Sequence, residues 1–274
     1  MPGGIERPTV VFILCAPRSG STWLNRVLGS HEWAMGLGEY FRPFLKSGHV
    51  ACRLCEAEGL AECTVLGDIA STPAEEAFHL AARRSGRDVL IDASKRLDWC
   101  EVFLDDPDLD VRLLHLVRHP AGFLESELRR HPDEAPAAVI ARWEQINQAI
   151  EQFIAAHDAP SMTVSYDRIA DDPERFMPAV CDFIGRPWNP AALEYWRYPH
   201  HGLGGNGAAS VYLRGRKVSN FRTGDDAFYE AVPDRPTAAD RRWKTSLPSD
   251  LIDQALSGRY ATDLAARLGV AWER

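Results

Sequence analysis

The stretch Thr9 to Trp23, TVVFILCAPRSGSTW, decides the fold. Its first residues, through Cys15, are β-branched or apolar and predict a buried central strand. The breaker-rich turn Ala16 to Gly20 follows, and Ser21 to Leu28 then places its apolar side chains on one helical face. A strand, a hydroxyl-rich loop and a helix N-terminus in this order present backbone amides to an anion, so the segment predicts a phosphate-like site.

The loop Cys15 to Thr22, CAPRSGST, differs from the phosphate loop of nucleoside triphosphatases. That motif, G-x-x-x-x-G-K-[ST], would require glycine in place of Cys15 and lysine in place of Ser21. The basic residue lies inside the loop instead, as Arg18. A plain strand-to-helix turn is the alternative, but such a turn has no use for the succession Arg-Ser-Gly-Ser-Thr. The segment therefore predicts an anion site of another class.

Strand and helix patterns continue to alternate along the chain. Further strands are predicted at Val89 to Asp92, Val111 to Val117 and Thr163 to Tyr166. Helices are predicted at Ala121 to Arg130, Ala135 to Ala156, Pro173 to Gly185 with Asp172 as cap, and Leu251 to Leu268. The order indicates an α/β fold, a single P-loop-like domain over residues 1–274 with a central parallel sheet flanked by helices.

Two segments, residues 32–72 and 198–236, lack periodicity and are interpreted as insertions or loops that face the acceptor. The second contains Gly202 to Gly207, GLGGNG, which literally satisfies G-x-G-x-x-G. It neither follows a clear strand nor opens a helix, as a dinucleotide-binding motif would. We interpret it as a flexible loop.

Composition and charge exclude several classes of protein. The chain has 274 residues, 45% of them hydrophobic, and a formal charge of −8, which argues against a broad nucleic-acid surface. No run reaches the ~18 apolar residues of a membrane helix, and the first residues lack the apolar centre of a signal peptide. We therefore expect a cytoplasmic protein with no nucleic-acid partner and no membrane; the oligomeric state is open.

Three of the six cysteines, Cys52, Cys55 and Cys63, have the spacing C-x2-C-x7-C. Without an export signal, cysteines are expected to stay reduced. The spacing also resembles part of a structural zinc site, for which His49 and Cys100 are the nearby candidates for a fourth ligand. Reduced, unligated thiols are the preferred interpretation, and structural zinc remains the alternative.

The segment Pro17 to Trp23 resembles the 5′-phosphosulfate loop of sulfotransferases that use 3′-phosphoadenosine 5′-phosphosulfate (PAPS). In that family the loop reads Pro-Lys/Arg-Ser-Gly-Thr/Ser-Thr, followed by an aromatic or apolar residue. The resemblance implies that the amides and hydroxyls of the loop hold the 5′-phosphate and that Trp23 stacks on adenine, although Trp23 could equally be a core residue. The cofactor-binding residues that it implies here are Arg18, Ser19, Gly20, Ser21, Thr22 and Trp23.

A second block matches the family's 3′-phosphate signature. The strand that ends at Val117 is followed by Arg118 and then, eight residues after this arginine, by Ser126. The resemblance implies that a charged fork and a hydroxyl meet the same phosphate. By the same resemblance Arg130 reaches that phosphate, with a solvated helix arginine as the alternative. Tyr166, in a segment similar to the family's Tyr-Glu-Asp-Leu, would lie along the nucleotide or be only a strand residue.

The acceptor must lose a proton as it attacks sulfur, which requires a base. Glu39, in the sequence GEYF, resembles the base of the tyrosylprotein, heparan and several bacterial sulfotransferases. The phenol and steroid branch uses a histidine from the segment aligned with Asp92 to Leu97, which has none here. Lys95 in that segment resembles a catalytic cation of bacterial members, and with Arg18 it would stabilise the leaving phosphate. Surface side chains are the alternative for Glu39 and Lys95.

These features together predict a transferase that moves a sulfuryl group from PAPS to a hydroxyl or amine of a small-molecule or glycan-like acceptor, giving PAP, with no metal required. The rivals are a P-loop small-molecule kinase, which would lack the usual loop lysine, and a non-catalytic nucleotide-binding protein. Near the end of the chain Trp243 and Lys244 match a late cofactor segment of the family. The basic triplet before them is missing, and Arg214, Arg216 and Lys217 are its candidate substitutes.

Overall fold

The centre of the protein is a five-stranded sheet in which every neighbouring pair of strands is parallel. The structure is a computed structural model and describes residues 7–45, 52–67, 69, 71–206 and 239–273. The strand order is β2-β3-β1-β4-β5. The strands are β1 (Thr9–Leu14), β2 (Ala34–Gly38), β3 (Val89–Asp92), β4 (Asp110–Val117) and β5 (Ser161–Ser165).

Helices connect the strands and cover both faces of the sheet. The α-helices are α1 (Ser21–Gly29), α2 (Arg53–Ala57), α3 (Ala77–Ser85), α4 (Leu97–Glu101), α5 (Pro120–Leu128), α6 (Pro136–Ala156), α7 (Tyr166–Asp171), α8 (Pro173–Ile184), α9 (Trp243–Ser246), α10 (Ser249–Ser257) and α11 (Arg259–Leu268). Short 3-10 helices span Arg42–Phe44, Ala74–Glu76 and Pro190–Arg197. The predicted fold class, α/β with a central parallel sheet flanked by helices, is confirmed.

Strand β1 lies in the middle of the sheet because both of its faces are apolar. Val11 and Ile13 pack into the core on the side of α1, α7 and α8. Val10, Phe12 and Leu14 pack into the core on the opposite side, with α3 and α4. Successive side chains of a strand point to opposite faces, so a strand covered on both sides reads as a continuous apolar run.

The strand order has a topological switch point between β1 and β4. From β1 the chain first builds β2 and β3 on one side, and only then adds β4 and β5 on the other. In open α/β sheets such a switch point leaves a crevice at the carboxyl ends of the strands, where ligands bind. The loop after β1 and the residues after β4 border this crevice.

Strand β2 corrects the prediction that residues 32–72 are irregular. Its sequence, AMGLG, contains no β-branched residue and two glycines, so propensity gives no strand signal. It forms because β3 offers a free edge, with which Met35 pairs opposite Leu90. Burial of this segment and its pairing with β3 therefore outweigh its low β-propensity.

Two further boundaries differ from the sequence prediction. Tyr166 begins α7 instead of ending β5, because the Ser165 side chain accepts a hydrogen bond from the Arg168 amide and caps the helix. The predicted helix from Leu251 to Leu268 is divided into α10 and α11 by Gly258, which has an extended backbone. No helix among the described residues is long and apolar enough to cross a membrane.

Candidate active site

A cavity of about 310 Å³ lies where the loop after β1 meets the residues after β4. Among its described lining side chains two are acidic, Glu39 and Asp240. The cationic ones are Arg18, Arg42, Arg53, Lys95, Arg118, Arg130 and Arg242. In a chain with a formal charge of −8, this concentration of positive charge marks a site for a polyanion.

The loop after β1 has the backbone shape of an anion cradle. Gly20 has a φ of +87°, and a Cβ there would lie 2.2 Å from the Tyr166 ring, so only glycine fits. Arg18 also adopts a positive φ, 65°, which is costly for a residue with a side chain. Ser21 and Thr22 then begin α1, with the helix N-terminus at the cavity wall.

The two predicted phosphate-binding blocks contact each other directly. The Arg18 Nε donates to the Ser126 Oγ at 3.1 Å, and the Arg118 Nη1 donates to the Arg18 carbonyl at 2.6 Å. Arg118 is buried, with the centre of its guanidinium 5.7 Å from the centroid of the Tyr166 ring. Residues 108 and 100 positions apart in sequence therefore form one basic wall.

The structure brings most of the predicted site residues to the cavity. Ser19 and Ser126 are buried behind the wall and are not among its lining residues. Trp23 both lines the cavity and packs in the core, with its ring edge-on to Tyr166 at 6.0 Å. The predicted residues at the wall are Arg18, Gly20, Ser21, Thr22, Trp23, Glu39, Lys95, Arg118, Arg130 and Tyr166.

Asp240 and Arg242 complete the wall, and sequence reasoning missed both. The Asp240 carboxylate accepts from the Arg118 Nη2 at 3.2 Å and from the Arg242 Nη2 at 2.7 Å. Burial opposes ionisation of this carboxyl group, but the two arginines outweigh burial and hold the pKa of Asp240 below its ordinary value. The carboxylate is therefore charged and occupies part of the basic wall.

Trp243 and Lys244, the two residues that matched the late segment by sequence, lie outside the cavity. The Trp243 ring stacks on His119 with a centroid distance of 4.2 Å, and Lys244 forms an ion pair with Glu273 at 3.0 Å. Arg242, one position earlier, is the late basic residue that reaches the cavity. The candidates Arg214, Arg216 and Lys217 lie outside the described residues.

Glu39 faces Lys95 across the cavity floor. The Lys95 Nζ donates to the Glu39 Oε1 at 2.9 Å, and Arg42 donates to Oε2. Burial of the carboxyl group raises its pKa, but Lys95 and Arg42 lower it by more, so the pKa of Glu39 is below its ordinary value. With its side chain 12% exposed, Glu39 is an ionised carboxylate that can accept a further hydrogen bond.

A buried carboxyl group shapes the turn that carries Lys95. Asp92 accepts hydrogen bonds from the Ser94 amide at 2.6 Å, the Ser94 hydroxyl at 2.8 Å and the Trp99 Nε1 at 3.2 Å. The turn allows Lys95 a φ of 62° and lets its Nζ reach the Ala93 carbonyl at 2.7 Å. Among the described residues, Arg18 and Lys95 are the only non-glycine residues with a positive φ.

We expect Asp92→Asn to change how stability depends on pH. Burial raises the pKa of Asp92 from 3.8 to about 6, so its favourable contribution is present below pH 4 and is lost as the pH rises through about 6. The unfolding free energy of the parent minus that of Asp92→Asn should therefore fall by about 2–3 kcal/mol between pH 4 and pH 7. Urea unfolding at several pH values measures this difference.

Asp98→Asn provides the matched control for this experiment. Asp98 is exposed, and its hydrogen bonds with Arg96 lower the pKa of Asp98 instead of raising it. The unfolding free energy of the parent minus that of Asp98→Asn should change little with pH, and any change should be a rise as the pH rises. A parent-minus-Asp92→Asn difference that stays constant from pH 4 to pH 7 would contradict the assignment.

The loop Gly202 to Asn206 holds Glu39 in place through the backbone. The Glu39 amide donates to the Leu203 carbonyl at 2.6 Å, and the Leu203 amide donates to the Leu37 carbonyl at 2.8 Å. A Cβ on Gly38 would lie 2.2 Å from the Leu203 carbonyl oxygen, so this close approach requires glycine. The glycine-rich segment therefore supports the cavity wall, a role that its sequence pattern did not reveal.

The cysteines Cys52, Cys55 and Cys63 converge on His201. Their sulfur atoms lie 3.8, 3.5 and 3.6 Å from the His201 Nδ1. Of the two candidates for a fourth partner, Cys100 lies in α4 and is not in this group, and His49 lies outside the described residues. His201 was not among the ligand candidates that the cysteine spacing suggested.

His200, the neighbour of His201 in the glycine-rich loop, is buried and unsuited to act as a base. Its Nε2 donates to the Tyr195 carbonyl at 2.8 Å, and burial lowers the pKa of His200 to about 3. The imidazole is therefore neutral and held inside the protein. Besides Asp240, which pairs with Arg118 and Arg242, Glu39 is the acidic side chain among the described lining residues of the cavity, and no histidine is among them.

Comparisons with known proteins agree with this architecture. No protein-family model matches the chain, and no curated sequence is significantly similar to it. Among solved structures, the sulfotransferase domain from the curacin biosynthetic pathway superposes with a TM-score of 0.59 at 19% identity, covering 96% of this chain and 98% of that one. The chain has the sulfotransferase fold.

A second domain shares this fold. The sulfotransferase domain from the olefin synthase of Synechococcus PCC 7002 superposes with a TM-score of 0.59 at 24% identity, covering 92% of this chain and 95% of that one. At such identities the likeness establishes the sulfotransferase fold alone. The resemblance predicted from the sequence motifs is confirmed at that level.

Proposed function

We propose that the protein is a sulfotransferase that moves a sulfuryl group from PAPS to a hydroxyl or amine of a small-molecule or glycan-like acceptor. The observation that carries the proposal is the cavity at the switch point of the sheet. Seven cationic side chains and two carboxylates, Glu39 and Asp240, line it among the described residues, and the Glu39 carboxylate lies directly beside Lys95. PAPS carries a phosphate at the 3′ position and a phosphosulfate at the 5′ position. These two anionic groups suit a basic wall built from the loop after β1 and from Arg118 at the end of β4.

The residues present fit such a nucleotide. The loop after β1, with Gly20 and the first residues of α1, would hold the 5′-phosphate, and Arg118 would hold the 3′-phosphate. Two buried polar atoms, the Ser19 Oγ and the Arg118 Nε, have no hydrogen-bond partner among the described residues. Buried polar atoms are normally paired, so unpaired ones beside a basic cavity support a bound anion.

Glu39 would act as the general base. Its ionised carboxylate would take the proton of the acceptor as a bond forms between the acceptor oxygen or nitrogen and sulfur. The bond between sulfur and the bridging oxygen of the 5′-phosphate breaks in the same displacement, and PAP leaves with the negative charge. Lys95 and Arg18 would stabilise that charge, as fixed cations do in phosphoryl transfer.

The ion pair between Glu39 and Lys95 sets the chemical character of this base. A carboxylate with a lowered pKa is a weak base, so it needs its cations to turn away as the acceptor approaches. The Lys95 Nζ bonds the Ala93 carbonyl as well as the Glu39 Oε1. Movement of Lys95 toward the leaving oxygen would free the Glu39 Oε1 to take the proton, while Arg42 would stay bonded to Oε2.

Nucleotide titration separates this function from its rivals. We expect PAP to bind far more tightly than ATP, since the loop lacks the lysine that nucleoside triphosphatases use. Isothermal titration of both nucleotides measures the preference, and turnover of labelled PAPS with a panel of hydroxyl and amine acceptors tests for catalysis. Tighter binding of ATP would favour a kinase, and tight PAP binding without turnover of any acceptor would favour a binding protein.

A further inference from the structure

Three cysteines and a histidine converge in the segment that flanks the cavity. Cys52 and Cys55 belong to the start of α2, Cys63 follows that helix, and His201 comes from the distant loop that pairs with β2. The four ligand atoms all lie within 4.8 Å of one another. The cysteines are 3%, 1% and 8% exposed, so the three thiols are shielded from water, whereas His201 is half-buried.

We infer that Cys52, Cys55, Cys63 and His201 form a structural zinc site. Around a tetrahedral Zn²⁺ with Zn–S of about 2.3 Å and Zn–N of about 2.0 Å, each sulfur would lie about 3.6 Å from the ligating nitrogen. The three measured sulfur-to-Nδ1 distances are 3.8, 3.5 and 3.6 Å. The three sulfurs therefore already lie at the distance from the imidazole nitrogen that such a site requires, and all four ligand atoms are within 4.8 Å of one another.

Backbone amides support the sulfur atoms as thiolates. The Leu66 amide donates to the Cys63 sulfur at 3.3 Å, and the Thr64 amide donates to the Cys55 sulfur at 3.5 Å. Hydrogen-bond donors around ligating atoms orient these atoms and offset their negative charge, as the hydrogen-bond partners of metal ligands do in known metal sites. Unligated thiols in an apolar core have no need for this arrangement.

Ligand chemistry selects zinc among the common metals. Three sulfurs and one imidazole in tetrahedral array suit Zn²⁺, whereas Mg²⁺ and Ca²⁺ require oxygen ligands. All four positions are filled by protein side chains, which is the pattern of a structural site and not a catalytic one. Binding converts three thiols to thiolates and releases their protons to solvent, and no redox change is involved.

The zinc site would fasten the outer wall of the cavity. Cys52 pairs with Leu203 in an antiparallel bridge, and Leu203 in turn bonds the backbone of Glu39. Arg53, the residue after Cys52, lines the cavity, as does Gly205, four residues after His201. Zinc would therefore join two segments that are about 140 residues apart and hold Glu39 between them.

Metal analysis of the full chain tests the inference independently of any activity. Protein purified without chelator should contain one zinc per chain, as measured by inductively coupled plasma mass spectrometry. His201→Ala should weaken Zn²⁺ binding on the order of a hundredfold or more in competition with a chromogenic chelator, because one of four ligands is lost. Chelation should also lower the melting temperature of the parent, and added Zn²⁺ should restore it.

Two control variants keep the test specific. Cys181→Ala removes a buried cysteine from α8, on the opposite face of the sheet, and should retain one zinc per chain. His49→Ala removes the histidine that lies nearest to the cysteines in sequence and should also retain it. Cobalt in place of zinc should give the strong visible bands of a tetrahedral thiolate site in the parent and weaker or shifted bands in His201→Ala.

Several results would overturn the inference. A folded parent without stoichiometric zinc, or one whose mass shows a disulfide among the three cysteines, would contradict it. Unchanged zinc affinity in a folded His201→Ala would remove histidine from the ligand set. If His201→Ala does not fold, Cys55→Ser and the cobalt spectrum of the parent decide the same question.

Discussion

Glu39→Gln should abolish most of the sulfuryl transfer while leaving nucleotide binding intact. The substitution keeps the size of the side chain and its contact with Lys95 but removes the carboxylate that is proposed to accept the proton. Because general-base catalysis supplies roughly 10²–10⁴-fold, kcat should fall by about that factor. PAP affinity should change little, since the proposal places Glu39 against the acceptor and not against the nucleotide. Stopped assays at saturating PAPS and acceptor, with PAP titration alongside, measure both quantities.

Lys95→Ala is the contrasting variant. It should also slow transfer, but it removes a cation that is proposed to stabilise the 5′-phosphate of the nucleotide and should weaken PAPS binding as well. The two variants therefore differ in cofactor affinity and not only in rate. If Glu39→Gln turns over within a fewfold of the parent when chemistry limits the rate, the base lies elsewhere in the molecule.

Arg118→Ala should erase the preference for PAP over 5′-AMP. The two nucleotides differ by the 3′-phosphate, which Arg118 is expected to bind through charge-assisted hydrogen bonds worth about 1.5–3 kcal/mol. The loss in PAP affinity should therefore be roughly ten- to a hundredfold. AMP affinity should stay within a fewfold of the parent, because AMP offers nothing to that part of the wall. Calorimetric titration of both nucleotides measures the ratio.

Ser126→Ala and Arg118→Lys refine this assignment. Ser126 accepts a hydrogen bond from the Arg18 Nε, so its loss should weaken PAP by a smaller factor than the loss of Arg118. Lysine keeps the charge but not the planar fork, and should recover only part of the preference. Equal affinity of the parent for PAP and AMP would sink the whole assignment of the 3′-phosphate site.

Local motifs explain why the nucleotide side of the cavity could be predicted from sequence. The loop from Pro17 to Trp23 is contiguous, and its strand, glycine and helix start all leave marks in a short stretch of residues. Arg118 stands at the end of an apolar strand, so its position at the carboxyl edge follows from the strand itself. Parallel strands then bring the two segments together without further information.

The rest of the cavity wall could not be predicted in the same way. Three lining residues reach the cavity through the tertiary packing of irregular segments: Arg42, Arg53 and Asp240. No periodic pattern in the sequence indicates that their side chains face the cavity. Arg242 could have been found from its position beside Trp243, one residue from the pair that matched by resemblance. His201 joins cysteines about 140 positions earlier, and a spacing rule for local ligands does not extend that far.

The ion pair between Asp240 and Arg118 means that the site carries its own counterion. Before a nucleotide binds, Arg118 and Arg242 share a fixed carboxylate and so attract fewer mobile anions from solution. Binding of a phosphate would then exchange one anion for another instead of releasing salt, and PAP affinity should fall with ionic strength less steeply than seven cations would suggest. The Asp240 carboxylate would then change its position when a nucleotide binds.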